Sequence, residues 1–220
     1  MSLGTLRARL IERLAPVEGW RPDATPGRSD FDMNPGTPRP GAPLRAAAVL
    51  VPVIARDGGA TVLMTRRADS LASHTGQIAF AGGRLDPGET AVQAALREAN
   101  EEVSLSARGV EVLGLGDAYE SGSGFLITPV VAWLERPPEV TANPAEVAEV
   151  FEAPWDFLMD PANHRREFLV SDDGVKRWFW AVPYENRYIW GVTAGILRAL
   201  RETLYGDEPA GDRAVAEDAA

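Results

Sequence analysis

Apolar residues recur along this chain with two different periods, and each change of period marks a boundary. Leu6, Leu10, Ile11 and Leu14 return every three or four positions before Pro16, a spacing that predicts a short opening helix. Residues 17–43 hold few apolar anchors and much Pro, Gly and Asp, which predicts a loop or an extended wrap over the surface. From Arg45 the pattern becomes β-branched. Apolar runs at 46–55 and 61–67, separated by Asp57, Gly58 and Gly59, predict a hairpin or neighbouring strands. A loop punctuated by Gly76, Gly82 and Gly88 then leads into a helix over 90–103, where Val92, Ala95, Leu96, Ala99 and Val103 share one face.

Two more β-rich runs, 110–118 and 126–134, flank a turn at 121–124. Residues 150–188 mix short strands with Pro and Asp turns, and 171–174 reads as a hairpin turn before a strand at 178–180. A last helix over 191–205 aligns Val192, Ile196, Leu200 and Leu204; the small, acidic residues after Gly206 predict a disordered tail. No internal repeat interrupts this order. The expectation is an α/β protein with a central mixed sheet sandwiched between helices, organised as an N-terminal helix and extended segment (1–43), one main domain (44–206) and a tail (207–220). The 220 residues, 45% of them hydrophobic, suit a single core.

Composition narrows the chemistry. A formal net charge of -10 argues against a surface built to bind nucleic acid or anionic lipid, although a few divalent cations can invert the field locally. With no Cys, and His74 and His164 the only histidines, thiolate chemistry and multi-histidine metal sites are ruled out. Carboxylates remain as metal ligands, and oxygen donors favour hard cations such as Mg2+ or Mn2+. Apolar runs stay shorter than the roughly 18 residues of a membrane span, and no secretory signal opens the chain, so a cytoplasmic location without membrane or nucleic-acid partners is expected.

The carboxylates of the 90–103 helix stand out. Glu98, Glu101 and Glu102 follow one another at i, i+3 and i+4 and so project from one side within a single turn, away from the apolar face. Their mutual repulsion costs a few tenths of a kcal/mol per pair, and a divalent cation would convert it to attraction. Taken alone, such a cluster reads as a solvated acidic face. The context is different: the loop Gly82-Gly83-Arg84-Leu85-Asp86-Pro87-Gly88-Glu89 runs straight into the helix, and its glycines let main chain approach a metal or phosphate.

The segment Gly83-x5-Glu89-x7-Arg97-Glu98-Ala99-x-Glu101-Glu102-x-Ser104-Leu105 resembles the Nudix box, in which every charged position and the first Gly match. The resemblance implies a Nudix-type α/β/α sandwich and metal-dependent hydrolysis of a diphosphate bond. It implies Glu98 and Glu102 as principal metal ligands, Glu101 sharing the cluster, the Gly82 carbonyl as a further ligand, and Arg97 and Glu89 orienting the carboxylates. The base that accepts the proton of the attacking water would come from the box or from a later loop, where Glu120 and Glu146 are the candidates. Ser104 departs from the pattern where the family has Gly at a left-handed turn.

A second stretch points to a substrate. Leu63-Met64-Thr65-Arg66-Arg67, followed by His74-Thr75-Gly76-Gln77-Ile78-Ala79-Phe80-Ala81-Gly82-Gly83, resembles the signature upstream of the box in coenzyme A diphosphatases, with Arg67, Gly76, Phe80, Gly82 and Gly83 in register. That implies cleavage of coenzyme A or acyl-coenzyme A to adenosine 3',5'-bisphosphate and a 4'-phosphopantetheine product, with Arg67, His74, Gly76, Gln77, Phe80, Gly83 and Arg84 as substrate-facing residues. Ala68, Ala72 and Ala81 replace a Ser, an Arg and a Pro of that signature; losing the Arg removes a potential bidentate phosphate contact. Other nucleotide diphosphates such as ADP-ribose, NADH or a dinucleoside polyphosphate are the alternative, and a non-catalytic binding module is the third reading. The aromatics Trp178, Phe179, Trp180, Tyr184, Tyr188 and Trp190 read as core or subunit interface before they read as a base-stacking surface, which leaves a homodimer open.

Overall fold

The computed structural model describes residues 1–39, 41–68, 76–171 and 174–206. The opening helix α1 spans Leu3–Arg13, and the Ser2 hydroxyl caps it by accepting the Thr5 N–H at 3.2 Å. Leu6, Leu10 and Leu14 are buried, but Ile11 is half exposed: the stripe that meets the core advances four residues at a time and leaves Ile11 on the solvent side. Past α1 the chain runs as the expected wrap. Trp20 donates to the Thr128 hydroxyl at 3.0 Å, and a two-residue strand β1, Arg28–Ser29, follows. Asn34 then clasps the backbone of Trp178, accepting its N–H at 2.7 Å and donating to its carbonyl at 2.8 Å.

Strands β2 (Arg45–Arg56) and β3 (Gly59–Arg67) form the expected hairpin, closed at Arg56 and Gly59 around Asp57 and Gly58. They pair only near the turn and then diverge. Residues 78–84 fill the fork: β4 (Ile78–Ala79) pairs with β3 at Thr65 and Arg66, and β5 (Gly82–Arg84) pairs with β2 at Ala47–Val49. Helix α2 (Ala91–Val103) begins in a capping box between Thr90 and Gln93.

The expected strand over 110–118 is β6 (Glu111–Leu115), ending three residues early, and a two-residue strand β7 (Tyr119–Glu120) follows beyond it; both are antiparallel to β8 (Phe125–Leu134). A register shift between Val112 and Gly114 bends β6, and Leu115, still opposite Val130 on β8, is also bridged to Ala15. The turn at 121–124 forms as expected, with Gly124 at φ +82° donating to Ser121 O. β8 runs parallel to β2 along its length, β1 runs parallel to β7, and β9 (Val147–Pro154) adds to β3, giving a mixed sheet of nine strands among the described residues.

Residues 150–188 depart from expectation. Trp155–Met159 is a helix, α3, with Trp155, Leu158 and Met159 buried; five residues are too few to show a helical period in sequence. Beyond it, β10 (Arg165–Val170), β11 (Lys176–Tyr184) and β12 (Arg187–Trp190) make a separate three-stranded antiparallel sheet. The 171–174 turn is partly outside the described residues; its flanks are closed by bonds from Ser171 N–H to Val175 O and from Gly174 N–H to Ser171 O. Helix α4 (Val192–Tyr205) completes the fold, and residues 207–220 also fall outside the described part.

Strand alternation sorts the core into two layers. Val51, Val53, Val62, Met64, Val131 and Trp133 face α1, α3 and α4, whereas Ala48, Leu50, Ile54, Leu63, Val130 and Ala132 face α2. The result is the α/β/α sandwich. Among the described residues no helix is long and apolar enough to cross a membrane.

Candidate active site

The fork between β2 and β3 places β5 directly beneath α2. Gly82 lies opposite Val49, and a Cβ there would collide with the Ala48 carbonyl; a Cβ on Gly83 would fall well inside contact with the Glu98 carboxylate. Both glycines are therefore needed for close approach, of strand to strand at Gly82 and of carboxylate to backbone at Gly83.

Arg97 organises the exposed part of the cluster. Its Nε and Nη2 donate to the two oxygens of Glu89 at 2.8 and 3.0 Å, Nη1 donates to Glu98 at 2.8 Å and to Glu101 at 3.2 Å, and Nη2 also reaches the Arg84 carbonyl at 3.0 Å. Hydrogen bonds from Arg97 and from the Asp86 N–H hold the Glu89 carboxyl at about 2. Its hydrogen bonds to Glu89 first, and then to Glu98, raise the Arg97 guanidinium further above its already high ordinary value.

Glu102 has a different setting. Its side chain is 4% exposed, and burial pushes its carboxyl up to about 7; the charges of Glu98 and Glu146 push the same way, against the Gly82 N–H and the Arg67 guanidinium. The Gly82 N–H donates to Glu102 Oε1 at 3.4 Å. A buried carboxylate beside two others, with little donor support, is the setting in which a hard cation relieves both repulsion and desolvation. Among the described residues no three His, Asp or Glu side chains converge as a ready-made ligand set. Arg97 bonds both Glu98 and Glu101, but the Glu101 side chain is half exposed whereas those of Glu98 and Glu102 are largely enclosed, so the donors that fit a cation best are the carboxylates of Glu98 and Glu102.

The loop before β9 supplies a residue that sequence reasoning missed. The Asn143 N–H donates to the Glu102 carbonyl at 2.8 Å, its side-chain amide donates to Glu146 Oε1 at 3.2 Å, and its Oδ1 accepts the Ala145 N–H. Asn143 thus ties Glu146 to the C-terminal turn of α2, and Glu146 O accepts from Ala68 N–H. The available signal was Asn143-Pro144, an Asx-turn dipeptide.

The other expected site residues divide. Arg67 extends from the end of β3, bonded through its N–H to Gln77 O, with a buried Nε that has no hydrogen-bond partner among the described residues and a charge that favours the Glu102 anion. Gly76 supplies a left-handed turn at φ +68°, and Arg84 is exposed at the end of β5. Phe80 is not substrate-facing: it is 4% exposed and packed in the α4-side core with Val51 and Met64, because its position beyond β4 points it into that layer. Glu120 is neither a surface residue nor part of the cluster. It is buried on β7, accepting from Ser29 at 3.1 Å and Arg39 at 2.7 Å, where the N-terminal wrap covers it. His74 and Ala72 lie outside the described residues. Ser104 adopts the left-handed turn at φ 56° that the family pattern assigns to Gly.

A family model described as the NUDIX domain matches residues 44–179. An uncharacterized Nudix hydrolase, NudL, of Yersinia pestis (strain Pestoides F) is 40% identical over 161 residues, covering 73% of this chain and 80% of its own. NudL of Yersinia pseudotuberculosis (strain IP 31758) matches with the same figures. Among solved structures, the Nudix hydrolase RenU of M. smegmatis aligns with a TM-score of 0.46 and 28% identity over 54% of this chain and 76% of its own. With the family match spanning more than half of the 220 residues, the chain belongs to the Nudix family of hydrolases.

Proposed function

We propose that this enzyme hydrolyses the diphosphate bond of coenzyme A or acyl-coenzyme A, releasing adenosine 3',5'-bisphosphate and (acyl-)4'-phosphopantetheine. The observation that carries this reading is the register of Arg67, Gly76, Phe80, Gly82 and Gly83 upstream of the box, together with the electrostatic coupling of Arg67 to Glu102. Phe80 contributes by packing the fork rather than by touching substrate.

Glu98 and Glu102 would hold Mg2+ or Mn2+, which would supply positive charge against the diphosphate and lower the pKa of a nearby water. Arg97 keeps the Glu98 carboxylate turned toward the glycine strand, with Glu89 as its counterweight. Glu146, restrained by Asn143 near Glu102, accepts the proton of the attacking water. Arg67 and Arg84 provide positive charge for the substrate phosphates.

A panel of coenzyme A, acyl-coenzyme A, ADP-ribose, NADH and diadenosine polyphosphates, assayed with Mg2+ and with Mn2+, tests the substrate. The coenzyme A group is expected to give the highest kcat/KM. Turnover confined to another member of the panel refutes the substrate assignment, and no turnover at all refutes the hydrolase reading. Glu102→Gln is expected to lower kcat by about a hundredfold or more with an unchanged circular dichroism spectrum. Activity close to wild type would remove Glu102 from the ligand set.

A further inference from the structure

A cavity of about 420 Å³ opens where the fork of the main sheet meets the small sheet, within the range of small-molecule pockets. Its walls come from distant parts of the chain: Arg66 from β3, Glu149 from β9, and Asn186, Arg187, Tyr188 and Trp190 from the last hairpin. We propose that this pocket holds the adenine base of the nucleotide substrate. The proposal takes its ligand class from the hydrolase reading above and its chemistry from the walls.

One wall is aromatic and braced. Trp190 stands edge-on to Phe179 at 5.2 Å and tilted against Tyr188 at 6.4 Å, and the Tyr188 hydroxyl is fixed by Glu167. Tyr188 keeps 42% of its surface exposed although its hydroxyl is bonded, so ring area is available at little ordering cost. The other wall is polar. Glu149 Oε1 takes both bonds from Arg187, at 3.1 and 2.5 Å, whereas its Oε2 accepts no hydrogen bond among the described residues and stands 3.8 Å from Arg66 Nε. An exocyclic amine supplies the donor that this oxygen lacks.

Charge separates the candidate ligands. Arg66 and Arg187 are offset by Glu149 and Glu185, the last bonded to Arg187 at 2.7 Å, so the pocket is close to neutral and suits a heteroaromatic base better than a free phosphate. These charged walls equally disfavour an acyl chain. The rim is held in shape at a cost: Glu185, at the hairpin tip, sits at φ 54°, in the left-handed region unusual for a residue with a side chain.

Position permits one ligand to span both sites. The β2–β3 fork leaves Arg66, Arg67, Gly83 and Arg84 at the same end of the sheet. Between Ile78, beside the pocket, and Gly82, beneath Glu102, lie four steps of chain, at most about 14 Å.

Calorimetric titration of the full chain with adenosine 3',5'-bisphosphate, which has no diphosphate bond to cleave, tests the pocket apart from catalysis. Trp190→Leu is expected to weaken binding about tenfold, and Trp190→Phe to retain most of it. Trp178→Leu, which alters an aromatic paired with Phe168 outside the pocket, is expected to change nothing. Glu149→Ala, removing the acceptor from the polar part of the lining, gives an independent second variant with the same expected loss. In turnover of adenine-bearing substrates these losses should raise KM and leave kcat within about twofold. The inference is overturned if wild type does not bind the bisphosphate, if Trp190→Leu and Glu149→Ala bind as wild type does, or if Trp178→Leu loses as much. Normal coenzyme A turnover with an unmoved KM in Trp190→Leu removes the pocket and keeps the hydrolase; the expected binding pattern without turnover of any diphosphate does the reverse.

Discussion

Gly83 has no side chain, and the Glu98 carboxylate occupies the room that one would take. Gly83→Ala should therefore displace Glu98 and lower kcat by about tenfold or more, while thermal stability, set mainly by the two core layers, shifts little. Comparing kcat and melting temperature for this variant checks the claim; unchanged kcat would mean that Glu98 tolerates the move. At this scale the sequence was informative about side and spacing, since i, i+3 and i+4 place Glu98, Glu101 and Glu102 on one flank of a helix. It was silent about their inequality. Glu101 is turned out to Arg97 while Glu102 is buried and pushed up to about 7, because the layer above β5 closes over one position of the turn and not the next. Asn143 went unseen for a similar reason: its bond to Glu102 joins residues 41 positions apart, and its bond to Glu146 serves a local turn.

Helix α2 shows how an element can tolerate a departure from its family pattern. Its C-terminal turn is made by Ser104 at φ 56°, with the Ser104 N–H returning to the Asn100 carbonyl and the Leu105 N–H to the Ala99 carbonyl. A left-handed L-residue carries a penalty of about 1–2 kcal/mol that glycine avoids, partly offset by the greater freedom of glycine in the unfolded chain. Ser104→Gly should accordingly stabilise the protein by about 0.5–1 kcal/mol and raise Tm by about 1–4 °C, with kcat/KM unchanged. A lower Tm would show that the serine is held there by something other than the turn. The helices and the β2–β3 hairpin were legible from period and turn residues, whereas the fork was not: β4 and β5 are two and three residues long, too short to carry a period.

For the whole molecule, burial couples folding to pH at His164. The ring is 2% exposed, its Nε2–H donates to the Leu158 carbonyl at 2.7 Å, and its Nδ1 has no partner among the described residues. Burial first, and then the charges of Arg198 and Arg201, lower its pKa below the ordinary 6.5, against the bond to Leu158 and the charge of Glu202. The unfolded chain binds a proton there that the native protein refuses. Stability from this residue is therefore complete above about pH 6.5 and is lost as pH falls through the depressed native pKa. Urea unfolding at pH 7.5, 6.5 and 5.5 should show wild type losing more stability on acidification than His164→Gln; parallel losses would refute the assignment.

The order of apolar and polar residues was enough to determine the two-layered core, the box helix and the family, since period, spacing and turn chemistry are properties of neighbours in the chain. What tertiary structure alone decided is the separation of roles among residues of one type. Glu120 and Glu146 were both candidates in sequence, with Glu146 preferred for its place just before a strand; the structure encloses Glu120 between Ser29 and Arg39 under the N-terminal wrap and stands Glu146 by Glu102. The aromatics of residues 178–190 were one cluster in sequence, but antiparallel pairing sends Trp180 and Tyr184 toward the core and Phe179 and Trp190 to the opposite face. The physical reason is common to both cases: burial and charge environment are set by contacts across long sequence separations, and those contacts exist only once the sheet has forked and its ends have come together.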